Sequence, residues 1–135
     1  MKKNNYTLEQ LASFSGFPSS SILHLEQIGV VAPHRSADNR LYSDEDMQNL
    51  DQIRLLQSLG IPFSRIVEIA SEKGFDLPLI LEEHLANLLE EQNDIMSVLE
   101  FSTASERPEL FLRNKRIEEL LSRTKKALDL VLEFT

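Results

Sequence analysis

The chain has 135 residues, no cysteine, and a formal charge of −8 from 14 Lys/Arg and 22 Asp/Glu. That length holds one compact domain and an appendage, and the missing thiols exclude disulfides, thiolate metal sites and a cysteine nucleophile. Hydrophobic residues make up 41% and aromatics only 7%, so a core can form, and the excess of Leu, Ile and helix formers predicts a largely helical chain.

From the N-terminus, Lys2-Lys3 is followed by no apolar region, so no signal peptide is expected. Thr7-Leu8-Glu9-Gln10 has the form of a capping box and predicts a short helix through Leu11 and Ala12 to about Phe14. Ser15-Gly16 reads as a turn. Pro18 suits the start of a second helix, which carries Ile22, Leu25 and Ile28 at helical spacing and ends at Gly29. Two short helices joined by a glycine-containing turn make a helix-turn-helix pattern, a weak signal on its own.

Between Val30 and Tyr42 the pattern changes to an extended segment, a polar turn at Ala37-Asp38-Asn39 and a returning strand, which together predict a small β wing. Ser43 followed by Asp44, Glu45 and Asp46 is a capped, acid-rich helix start that complements the helix dipole. That helix carries Met47, Leu50, Ile53, Leu56 and Leu59 and stops at Gly60. After Pro62 another short helix carries Phe63, Ile66, Val67 and Ala70 as far as Gly74.

An uninterrupted helix is expected from Pro78 to about Phe101, a length of roughly 36 Å. Leu81, Leu85, Leu88, Gln92, Ile95 and Leu99 follow alternating steps of four and three, the seam of a coiled coil, with Gln92 its polar member. The outer face is acidic, with Glu82, Glu83, Glu90, Glu91 and Asp94. Ser102-Thr103-Ala104-Ser105 breaks the helix, and a last helix from about Glu109 shows Ile117, Leu121, Leu128 and Val131 on one face. Phe101, Phe111 and Phe134 are spaced to pack that helix onto its predecessor; lining an effector pocket is the competing role. No apolar run approaches the roughly 18 residues of a membrane helix.

Charge is unevenly spread. Residues 1–71 hold six Lys/Arg against eight Asp/Glu, residues 72–109 two against ten, and residues 110–135 six against four. The acidic excess lies in the middle, although a near-neutral first half is poor in the charge that binds phosphates. His34, Arg35 and Arg40 form its basic cluster, either touching a nucleic-acid backbone or sitting as solvated loop charges beside Asp38 or Asp44. His24, His34 and His84 lie too far apart for metal-ligand spacing, and no metal or cofactor is expected. Phosphate loops, a Ser-His-Asp arrangement and paired catalytic carboxylates are all missing from the sequence, which argues against an enzyme.

Residues 6–70 resemble the MerR family of winged helix-turn-helix transcription regulators. The resemblance is carried by Tyr6-Thr7-Leu8-Glu9-Gln10-Leu11-Ala12, Gly16-Phe17, and Glu26-Gln27-Ile28-Gly29-Val30-Val31-Ala32-Pro33. It continues through Arg35, Asn39-Arg40-Leu41-Tyr42-Ser43-Asp44-Glu45-Asp46 and Gln57-Ser58-Leu59-Gly60-Ile61-Pro62-Phe63. It implies a winged DNA-binding domain over 1–75, a dimerisation helix over 76–102 and a short C-terminal helix over 103–135. The expected protein is a cytoplasmic homodimer with an antiparallel interchain coiled coil through Leu81, Leu85, Leu88, Gln92, Ile95 and Leu99. Its implied partners are double-stranded promoter DNA and RNA polymerase, with DNA bent and untwisted rather than read by base contacts alone.

The resemblance places Ser19, Ser20, Ser21 and His24 on a helix in the major groove. Wing residues His34, Arg35, Arg40 and Tyr42 fall on the flanking backbone, together with Arg54. Tyr42 has an alternative role as wing core, and Arg54 as a solvated charge. One departure stands out. Where family members carry an Arg and two aromatics, this chain has Leu23, His24 and Leu25. An apolar patch there suits the alternative function, a protein-interaction module that has lost DNA binding.

Overall fold

A computed structural model of the chain describes residues 5–36, 39–101 and 106–133. The opening lysines, Ala37 and Asp38 of the expected wing turn, the expected break at 102–105 and Phe134 lie outside these residues. In chain order the elements are β1 (Asn5–Tyr6), α1 (Leu8–Ser15), α2 (Ser19–Gln27), β2 (His34–Ser36) and β3 (Asn39–Ser43). Four further helices follow: α3 (Asp44–Ser58), α4 (Phe63–Lys73), α5 (Leu77–Leu99) and α6 (Pro108–Glu133). They form two compact units, Met1–Asp76 and Leu77–Thr135.

Two capping boxes set the helix starts of the first unit. Thr7 Oγ1 accepts from the Gln10 amide at 3.2 Å, while the Thr7 amide donates to Gln10 Oε1 at 3.0 Å. Ser43 and Asp46 repeat the exchange at the start of α3, at 3.2 and 3.0 Å. Each box satisfies two amides that a helix start leaves without intrahelical partners. At the end of α2, Gly29 takes φ +84°, and the Val30 amide returns to the Leu25 carbonyl at 2.9 Å. That left-handed residue turns the chain out of α2 and into the wing.

The wing is antiparallel, with His34 opposite Leu41, Arg35 opposite Arg40 and Ser36 opposite Asn39. A third strand, β1, joins the other edge of β3 by pairing Tyr6 with Tyr42. Two residues are too short to carry a strand periodicity, so sequence reasoning missed β1. Beneath the sheet and helices, Leu11, Ile22, Leu25, Leu50, Ile53, Leu56 and Ile66 are fully buried. The apolar rows expected on α1 to α4 thus meet in one core.

In the second unit α6 folds back on α5. Leu88, Ile95 and Leu99 bury themselves against Ile117, Leu120 and Leu121, with Leu85 and Leu110 packed at the edge. The seam read as interchain therefore finds a partner within its own chain. α6, expected to be short, has 26 residues and is long enough to supply it. A 3-4 periodicity identifies a buried face but not which helix covers it.

Thr124 is an exception in this packing. It is fully buried, and its hydroxyl has no hydrogen-bond partner among the described residues. Thr124→Val keeps the shape and removes the unsatisfied group, so it should stabilise the second unit by about 1 kcal/mol. Urea unfolding followed by a probe on α6 measures this. A lowered midpoint would mean that the hydroxyl is already satisfied.

Candidate nucleic-acid interface

The second helix presents a polar, uncharged face. Ser20 and His24 are exposed one turn apart, Ser19 and Ser21 are half-buried, and Ile22 and Leu25 anchor the opposite face in the core. Gln27, absent from the expected set, is exposed in the same row as Ser20 and His24. The spacing 20, 24, 27 was the signal that would have found it. A glutamine amide can pair with adenine in two places, whereas a serine hydroxyl offers a single contact. Leu23, the residue on which a protein-docking role rests, is half-buried.

The wing stands beside this helix, joined to it by the turn at Gly29 and by two side chains of α3. Asp46, only 4% exposed, accepts from the Ala32 amide and the Ser43 amide, both at 3.0 Å. Asn49 donates from Nδ2 to the Val30 carbonyl at 2.9 Å. The linker between α2 and the wing is therefore held at both ends by α3.

The basic residues divide into two classes. His34 and Arg35 are exposed on β2, and Arg35 has no ion-pair partner among the described residues. Arg40 lies on the paired strand, but its Nε sits 3.5 Å from Glu26 Oε1 of α2, with both side chains partly buried. This pair ties β3 to α2 and removes part of the charge expected on the wing.

Tyr42 takes the inward of its two roles. It is fully buried, so its phenol has no surface to offer a ligand. Burial raises its pKa above the usual phenol value, the nearby Glu26 carboxylate adds to the rise, and Arg40 opposes it. On the opposite edge of the sheet, the Tyr6 hydroxyl donates to Asp44 at 2.8 Å.

Arg54 is engaged as well. Its Nε donates to the Ser15 carbonyl at 2.5 Å, and its guanidinium lies 5.4 Å from the centre of the Phe17 ring. Of the residues expected to meet DNA, Ser20, His24, His34, Arg35 and Arg54 are exposed, the first four with no side-chain hydrogen bond or ion pair among the described residues. Arg40 is paired with Glu26, Tyr42 is buried, and Arg54 contacts Ser15 and Phe17 while remaining exposed.

In the second unit, Leu81, Leu88, Ile95 and Leu99 of the expected seam are buried, and Leu85 and Gln92 are half-buried. Next to them Leu89 is 40% and Met96 50% exposed. Leu85, Leu89, Gln92 and Met96 form a second row with steps of four, three and four. Met96 and Leu99 also border a groove of about 620 Å³ that Phe111 and Asn114 of α6 close on the other side. Phe111 therefore lines this groove. Among the described residues no group of acidic and histidine side chains is arranged to hold a metal ion. No helix there is long and apolar enough to cross a membrane.

Comparison with known proteins gives a family model described as MerR HTH family regulatory protein, which matches residues 6–73. The HTH-type transcriptional activator TipA of Streptomyces coelicolor is 32% identical over 74 residues, covering 53% of this chain and 29% of that protein. The activator mta of Bacillus subtilis is 28% identical over 89 residues, covering 64% of this chain and 35% of that protein. The chain thus spans about a third of the length of these relatives. No solved structure matches significantly.

Proposed function

The chain belongs to the MerR family of helix-turn-helix regulatory proteins, and from that premise we propose that it is a dimeric, DNA-binding transcription regulator acting at promoters. The observation that carries this reading is the joint exposure of two elements locked together by Asp46 and by the Arg40–Glu26 pair. One is the polar row Ser20, His24 and Gln27; the other is the wing edge with His34 and Arg35. A helix in the major groove with a wing on the adjacent backbone needs that fixed relation. The relatives' names as transcriptional activators support the same reading.

Binding should lean on shape and a few polar contacts, because the exposed face of α2 has no arginine or lysine to fork onto guanine. A half-buried Leu23 leaves little apolar surface for the competing protein-docking role. Self-association would bring two reading helices to two half-sites. The stripe of Leu85, Leu89, Gln92 and Met96 supports a second copy as the partner of the hairpin, since α6 already covers the deeper seam. RNA polymerase is the further partner that promoter activation requires.

An electrophoretic shift against DNA flanking the chain's own gene tests the proposal, with a random fragment as competitor. Arg35→Ala should lower the slope of log affinity against log salt by about 1, the value for one lost phosphate contact. Arg40→Ala should change the slope less, because Glu26 already partners that guanidinium. Failure of the wild type to prefer any flanking fragment over random DNA would overturn the assignment.

A further inference from the structure

We propose that Arg54 is a positioning residue that sets the angle of the reading helix, rather than a phosphate clamp. Its side chain reaches from α3 into the turn between α1 and α2 and engages all three residues there. Ser15 lies at the end of α1, where carbonyls lack intrahelical partners, and its oxygen accepts from Arg54 Nε at 2.5 Å. Phe17 is 8% exposed and lies beneath the guanidinium at 5.4 Å. Between them Gly16 has φ +79°, and a side chain there would occupy the space of Arg54 Nη2.

The turn is fastened from below as well. Phe17 packs against Phe63, the first residue of α4, with ring centres 6.2 Å apart and planes tilted by 40°, and its amide donates to Ser15 Oγ at 3.2 Å. Pro18 then opens α2 with no side-chain cap. The direction of α2 is accordingly set by a turn whose free carbonyl, missing Cβ and aromatic ring all fit one guanidinium. A lysine cannot replace it, because an ammonium lacks the planar fork that stacks on the ring and donates in the plane.

The DNA arm of this inference rests on the proposed function; the structural arm does not. Arg54→Gln and Arg54→Lys in the full chain are compared with wild type by hydrogen exchange of the free protein. Both should speed exchange of the α2 amides about tenfold, the loss of one charge-assisted hydrogen bond, and leave α3 and α4 unchanged. On DNA, both should lower the preference for the flanking fragment over random DNA by about tenfold without altering the salt slope.

A slope reduced by about 1 in Arg54→Gln and restored in Arg54→Lys would make Arg54 a phosphate contact and overturn the assignment. Unchanged α2 exchange in Arg54→Gln, or equal acceleration across α3 and α4, would overturn it too. A wild type that binds no DNA would remove the proposed function, leaving the exchange measurement to decide the role of Arg54.

Discussion

Asp46→Ala is expected to destabilise the first unit by about 2–4 kcal/mol, the largest single effect among its polar residues. The carboxylate is 4% exposed and accepts two backbone amides, from Ala32 and Ser43, at 3.0 Å each. Alanine leaves both donors without their acceptor. One belongs to the helix cap and the other to the linker between α2 and the wing, so both the α3 start and the wing attachment loosen. For a unit of this size the loss corresponds to a melting temperature lower by roughly 10–20 °C. Ser43→Ala removes only the hydroxyl half of the box and should cost about 1 kcal/mol. Asp46→Asn retains one acceptor oxygen and should fall between the two. Calorimetry of the three variants checks the order, and an Asp46→Ala protein within 0.5 kcal/mol of wild type, about the scatter of neutral surface changes, would refute the assigned role.

Local chemistry was legible in the sequence wherever it depends on neighbours. Thr7 with Gln10 declares a capping box and Ser43 before three acids a capped start, and the structure forms a box at both. Gly29 declares an end, and Arg35 to Arg40 declares a two-stranded wing; each stands where expected. What could not be read is the long-range assignment of side chains. Asp46 is legible as a first-turn acid, but nothing near it in sequence reveals that it also holds Ala32, 14 residues earlier. Arg54 has the pattern of a solvated helix residue, and only the fold brings it to Ser15, 39 residues away. Tyr42 alternates correctly for either face of its strand, and pairing with Tyr6 on the unforeseen β1 accompanies its inward placement. The α5 seam is the same problem on a larger scale, since heptad spacing is blind to whether the covering helix belongs to the same chain.

That ambiguity leads to the prediction that separates folding from assembly in the second unit. Leu88 is 5% exposed within the α5–α6 core, so Leu88→Asp buries an unpaired charge and leaves a cavity. It should cost about 3–5 kcal/mol and unfold the hairpin. Leu89 and Met96 are 40% and 50% exposed, so Leu89→Glu with Met96→Glu places charges on a surface that tolerates them in a single chain. If a second copy covers that stripe, the double variant should keep its helical circular dichroism and melting temperature at low concentration. Its dimer should dissociate at least about 100-fold more readily, since each charge then loses water without gaining a partner. Sedimentation equilibrium across micromolar concentrations resolves the two effects. A double variant as dimeric as wild type would exclude this stripe as the interface, and a monomeric wild type would exclude self-association through the hairpin altogether. If one helix of a second copy covers both exposed residues, the two glutamates should act together, each alone giving an intermediate dissociation constant.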